Sequence, residues 1–287
     1  MGAIFRHELR NYFHSLTAYV FGAFLLAVIG IGAMFYNLEA AVSNFEFVLS
    51  FASIIFVVIV PILTMRTLAE ERRQRTDQLL YSLPITTTQV VLGKYLALLV
   101  VYLIPLAVIS LYPLLFSQFG DVYLPTSYGS LFAFFLMGAA LLAVGMFLSS
   151  LTDNQGFAAG IGIAAILLNY YSVSLAEYTS STAMGSLIAL YVIALLLGVV
   201  IRGLTRNENL AYGVAFVLIA ALSVAYFVNS SAFEGLLPDI MTKLSLFRQF
   251  NSFVNGAFDL TAIVYYVSVM GFFLFLTVQS LEKRRYN

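Results

Sequence analysis

The sequence predicts an all-α, polytopic membrane bundle of about eight spans. Three observations carry that fold class. Charged residues fill 10% of the 287 positions, where soluble domains carry about 25%. Mean hydropathy is high, at +0.95. Apolar stretches recur at 17–37, 45–65, 92–117, 128–149, 156–176, 185–201, 209–228 and 259–280, and about 20 apolar residues are enough to cross a hydrocarbon core. The stretch at 185–201 is the shortest. Little chain is left for a soluble domain, so 1–287 reads as a single transmembrane domain.

Lys and Arg set the orientation, because short loops rich in them stay in the cytoplasm. With the N-terminus inside, the cytoplasmic segments hold Arg6, Arg10, Arg66, Arg72, Arg73, Arg75, Lys94, Arg202, Arg206, Lys283, Arg284 and Arg285. The outer segments hold only Lys243 and Arg248. Both termini are therefore expected in the cytoplasm of a bacterial cell. The same bias supports spans at 185–228, since Arg202 and Arg206 would otherwise lie outside.

The segment 1–16 is expected to form an interfacial helix. Phe5, Leu9, Tyr12, Phe13 and Leu16 recur at three- and four-residue spacing, with Arg6, His7, Arg10, Asn11 and His14 opposite; such a helix lies in the membrane plane. Its polarity argues against a cleaved signal, and Arg6 breaks the myristoylation pattern. The segment 229–258 is the longest loop, expected outside, with an amphipathic run after Pro238. Cysteine is absent, which excludes disulfides and thiolate chemistry.

One stretch departs from the apolar pattern. Thr67–Asp77 holds Glu70, Glu71, Arg72, Arg73, Arg75 and Asp77 between two oily segments. With Arg66, burial in lipid would cost roughly 20 kcal/mol at about 3 kcal/mol per charge. The stretch must meet water or a polar partner. Its spacing predicts a helix over Thr67–Leu83. Thr67 and Glu70 fit a capping box. Glu71 with Arg75, and Arg73 with Asp77, are four apart and positioned to pair. Leu68, Leu79, Leu80 and Leu83 supply apolar contacts, and Pro84 stops the helix. On these residues alone, a solvated loop and a partner-binding helix fit equally well.

The run "MRTLAEERRQRTDQLLYSLPITTTQVVLGKYLA", 65–97, resembles the signature between the second and third spans of ABC-2 type transporter permeases. The pattern is carried by Glu70, Glu71, Arg72, Arg73, Thr76, Leu79, Leu80, Pro84, Gly93 and Lys94. "SSLTDNQ", 149–155, is similar to the next cytoplasmic turn of the branch containing gliding-motility and nitrous-oxide-reductase-maturation permeases, and the chain from Phe250 is similar to that branch's C-terminal end. Two departures stand out. Arg75 occupies a position that is usually Gly in the family, a change a helix tolerates. The pair at 185–228 adds to the usual six spans.

The resemblance implies a coupling helix over 66–84 that docks on a separate ATPase subunit. It would act through Thr67, Glu70, Glu71, Arg72, Arg73, Arg75, Thr76, Asp77, Leu79, Leu80, Leu83 and Pro84. A cytoplasmic turn at Asp153, Asn154 and Gln155 would lie nearby. Implied partners are that ATPase, carrying ATP and Mg, a second permease chain in a homo- or heterodimer, and membrane lipids. Nucleic acid is not among them.

Motifs for chemistry on this chain are missing. Gly93 and Lys94 mimic a phosphate-binding loop, but Thr88 stands where that motif needs Gly and Tyr95 where it needs Ser or Thr. Lys94 is then expected to be a snorkelling anchor. Gly156-Phe-Ala-Ala-Gly160 fits close helix packing better than Gly160-Ile-Gly162 fits a dinucleotide fingerprint. His7 and His14 lack further metal ligands, so no metal site and no catalytic residue is expected. Asp153, Glu177, Glu208 and Asp259 fall at span ends, which disfavours a proton-driven carrier. Tyr102, Asn169, Tyr170, Tyr171 and Ser172 are candidates to line a substrate path, or equally to bond between helices. The expected function is a permease subunit, an exporter, moved by ATP hydrolysis on another chain. The alternative is a non-transporting scaffold or mechanosignalling subunit that binds a cytoplasmic ATPase.

Overall fold

The computed structural model describes residues 1–75, 85–205 and 208–285. The described residues form helices and connecting turns, with no strand among them. They divide into two compact units, 1–170 with 249–287, and 171–248.

The larger unit begins with α1 (Gly2–His14) and α2 (Leu16–Ala33), which runs on into a π-helical turn, Met34–Glu39. Next come α3 (Phe45–Ser53), α4 (Phe56–Thr64) and the short α5 (Ala69–Arg73). After 85 follow α6 (Thr87–Ile109), α7 (Leu111–Phe116), α8 (Leu124–Leu151) and α9 (Gln155–Tyr178). The smaller unit carries α10 (Ala183–Thr205), α11 (Glu208–Val228) and α12 (Leu236–Lys243). The chain finishes with α13 (Leu246–Val254) and α14 (Leu260–Arg285).

Among the described residues, five helical stretches are long and apolar enough to cross a membrane: Leu16–Glu39, Thr87–Phe116, Leu124–Leu151, Gln155–Tyr178 and Leu260–Arg284. A further pair of apolar helices is long enough only when taken together, and it is bent. Phe45–Ser53 and Phe56–Arg73 meet at 59°. The break falls at Ile54 and Ile55, and Pro61 lies within α4 beyond it. There the backbone tightens, Ile55 N–H to the Ala52 carbonyl and Val57 N–H to that of Ile54, while the Ser53 hydroxyl takes the Ser50 carbonyl. Three-residue bonds of this kind interrupt the regular ladder. The other two predicted spans correspond to α10 and α11. Their apolar parts within the described residues, Ala183–Val199 and Tyr212–Val228, are shorter.

The larger unit is built around α8, which packs on α14, α4, α3 and α6. Small residues let the helices approach, the main route to helix association in lipid. A Cβ on Gly138 would come within 2.6 Å of the Tyr102 ring, and one on Gly145 would strike Thr64. Tyr102 is fully buried, edge-on to Phe21 and Phe56 and stacked on Phe135. Its hydroxyl donates to the Phe134 carbonyl at 2.8 Å. Tyr102 therefore serves helix packing. At the far end of α3, the buried Glu46 accepts from Ser127 at 3.1 Å.

In the smaller unit α10 and α11 form a hairpin. Tyr191 and Ser223 share a 2.6 Å hydrogen bond across it, and Arg202 of α10 pairs with Glu208 of α11. Gly235, at φ +70°, admits the chain into α12, a left-handed geometry that suits glycine.

Candidate functional site

The charged stretch folds differently from the expected rod. Its helix covers Ala69–Arg73 and stops. The backbone N–H groups of Gln74 and Arg75 close the last turn on the Glu70 and Arg72 carbonyls. Arg75 then takes φ +56°, in the left-handed region. A continuous helix through Arg75 is thus corrected to one short helix ended by a turn. The left-handed region costs a side-chain-bearing residue roughly 1–2 kcal/mol. Glycine would be at ease here, contrary to the expectation from helix tolerance. Thr76, Asp77, Leu79, Leu80, Leu83 and Pro84 lie outside the described residues, and so does the pairing of Arg73 with Asp77.

The expected capping box is also replaced. The Thr67 hydroxyl faces Tyr12 Oη at 3.2 Å instead of the start of α5. The cap comes from another helix. Ser149 Oγ on α8 accepts the backbone N–H of Leu68 at 3.3 Å and of Ala69 at 3.2 Å, and donates to the Met65 carbonyl at 3.1 Å. One hydroxyl therefore serves three backbone groups where the chain leaves α4. Helix starts need such acceptors because their first N–H groups have no partner within the helix.

Lys94 is the second centre. It is 1% exposed, so it is not a snorkelling anchor. Its Nζ donates to Glu71 at 2.6 Å and to Glu8 at 2.7 Å. Glu71 therefore does not depend on Arg75 four residues on. A buried ammonium is costly unless paired on good geometry, and here two carboxylates from α1 and α5 flank it. Beside it Gly93 admits Ile4 of α1; a Cβ there would lie 3.1 Å from the Ile4 side chain. Tyr12 completes the junction. Burial raises its phenol pKa, opposed by the Thr67 hydrogen bond and reinforced by the Glu8 charge. Arg66 holds Glu70 at 3.1 Å and the Thr17 hydroxyl at 2.9 Å. A cleft of about 680 Å³ opens among His7, Asn11, Tyr12, Arg66, Glu70 and Gln74.

The C-terminal end of α8 collects the third group of contacts. Arg72 Nη1 donates to the Thr152 carbonyl and Arg284 Nη2 to the Leu151 carbonyl, each at 3.4 Å. The Ser280 hydroxyl donates to the Ser150 carbonyl at 3.3 Å. Cations suit this end of a helix, where carbonyls lack partners and the dipole is negative. In the following turn it is Asn154 that caps α9, its Oδ1 accepting the Phe157 N–H at 3.2 Å, with Asp153 and Gln155 on either side.

The structure thus gathers Thr67, Glu70, Glu71, Arg72, Arg73 and Arg75 at one end of the larger unit, with 153–155 on the chain that leaves α8 there. Arg73 and Arg75 are exposed. Asn169, Tyr170, Tyr171 and Ser172 sit on α9, where Tyr171 is exposed and the other three are half-buried. Sequence reasoning missed Glu8, Tyr12 and Ser149 as site members. Glu8 gave one signal, as the single acid among the bases of α1. Ser149 gave none beyond its place in a family-like turn.

No curated protein matches the chain. Residues 35–176, just under half of it, match the family model described as ABC-2 family transporter protein. The match begins in the π-helical turn, includes α5, Lys94 and Ser149, and ends in α9, before the α10–α11 pair. Over that segment the chain is similar to ABC-2 family transporter proteins, and its apolar helices are those of a multi-pass membrane protein.

Proposed function

We propose that this chain is the permease subunit of an ATP-binding-cassette transporter in a bacterial cell membrane. ATP, with Mg, is hydrolysed on a separate ATPase subunit, and two permease chains form the pathway for an exported substrate. The end carrying α5 faces the cytoplasm, as the Lys and Arg bias suggests. Each ATPase grips the segment from Thr67 onward, through exposed groups such as Arg73 and Arg75. Charged rims favour fast, register-specific docking.

The observation that carries this reading is the wiring of α5. Its Glu71 is joined to α6 and α1 through Lys94, and its first N–H group to α8 through Ser149. A push on α5 would therefore move α1, α6 and α8 together, a wider set than the two flanking spans. Such packed, bonded elements transmit strain because they are stiff.

The test uses the full chain reconstituted with its ATPase. Arg73→Gln with Arg75→Gln should leave membrane insertion and melting unchanged. It should lower ATPase binding and abolish the dependence of transport on ATP. Unaltered ATP-driven transport in that variant would count against this assignment. Transport without any ATPase would rule it out.

A further inference from the structure

We propose that α1 binds acidic phospholipid headgroups through Arg6 and Arg10. Residues four apart stack in rows along a helix, and α1 has three neighbouring rows of different character. Ile4, Glu8 and Tyr12 form the inward row, with Glu8 and Tyr12 buried against Lys94 and Thr67. Phe5, Leu9 and Phe13 form the next row, all half-buried. Arg6, Arg10 and His14 form the third, all exposed. The apolar row therefore lies between an anchored row and a basic row.

This order fits a membrane surface better than a protein interface. The inward row fixes the rotation of α1, so the helix cannot roll to choose another face. A single extended residue, Ser15, separates α1 from the spanning α2, which keeps α1 at the hydrocarbon boundary. Phe5, Leu9 and Phe13 then face acyl chains, and the arginines next to them sit at headgroup depth, where basic residues attract anionic lipid. Glu8, the acid that would oppose such binding, is turned inward and paired with the buried Lys94 ammonium, away from the exposed arginine row. The proposal does not rest on ATPase coupling and survives if that reading fails.

The chain contains no tryptophan, so Phe5→Trp places a single indole beside Arg6. The purified full-length variant is reconstituted in phosphatidylcholine vesicles containing equal fractions of dibrominated phosphatidylglycerol or dibrominated phosphatidylcholine, whose bromines quench indole on contact. The acidic lipid should show a preference of roughly fivefold to tenfold. Arg6→Gln with Arg10→Gln should bring the ratio to about one, and Arg6→Lys with Arg10→Lys should keep it, as expected for a charge effect. Equal quenching in the parent overturns the proposal, as does a preference that survives the glutamine pair. A preference removed by inorganic phosphate alone would assign the site to free phosphate. One removed by adding the ATPase would assign it to a protein surface. Either result overturns lipid recognition.

Discussion

Lys94 and Glu71 lie 2.6 Å apart, and this contact ties the short charged helix α5 to the spanning helix α6. Glu8 takes a second hydrogen of the same ammonium at 2.7 Å. Lys94→Met should therefore remove the ammonium that both carboxylates share. Breaking a buried pair in this way costs about 3–5 kcal/mol. A large fall in melting temperature of the detergent-solubilised protein is expected. The triple variant Lys94→Met, Glu8→Gln, Glu71→Gln should recover much of it, because no uncompensated charge remains.

Ser149→Ala removes the only side-chain cap that the described residues give α5. Loss of a helix cap costs about 1 kcal/mol. Folding should survive with a modest loss of stability. If the chain works with an ATPase as proposed, ATP turnover should continue while transport per ATP falls, measured in proteoliposomes. Ser149→Thr keeps the hydroxyl and should restore most of the coupling. Equal coupling in the alanine variant would show that α8 takes no part in transmission.

Arg75 sits at φ +56°. Arg75→Gly should therefore stabilise the turn, by about 1 kcal/mol. Arg75→Val should destabilise it, because a branched side chain resists that geometry. A thermal-melting series over the three proteins checks the order. If glycine proves the least stable, the turn is not left-handed.

Gly138 meets the Tyr102 ring with no room for a side chain. Gly138→Ala should push α6 and α8 apart and cost about 1–3 kcal/mol, as overpacking does. Tyr102→Phe should cost less, about 1 kcal/mol, through the lost bond to the Phe134 carbonyl. Melting of both variants, and of the pair combined, tests whether the close approach holds the helices together.

The elements were legible in the sequence to different degrees. Apolar length alone marked α2, α6, α8, α9 and α14, because a span needs little beyond about 20 oily residues. The bend in 45–65 was not legible, since its cause is a local tightening at Ile54 and Ile55 with no proline at the break. Charge density located the site around Glu70–Arg73. Spacing suggested pairing with Arg75 four residues on, whereas Glu71 turns to Lys94, from which it is separated by 23 positions. Local rules weigh near neighbours only, and the buried Lys94 ammonium from another helix outcompetes the exposed Arg75 guanidinium.

By itself the sequence determined the membrane class, the position of most spans and the charged segment that cannot enter lipid. These follow from transfer free energies, which are properties of each residue and add along the chain. The tertiary structure alone decided that Lys94 is buried between Glu8 and Glu71, that Ser149 starts α5, and that Arg75 ends its turn. Those depend on which helices meet, and pairings between distant segments leave no periodic trace in a single chain.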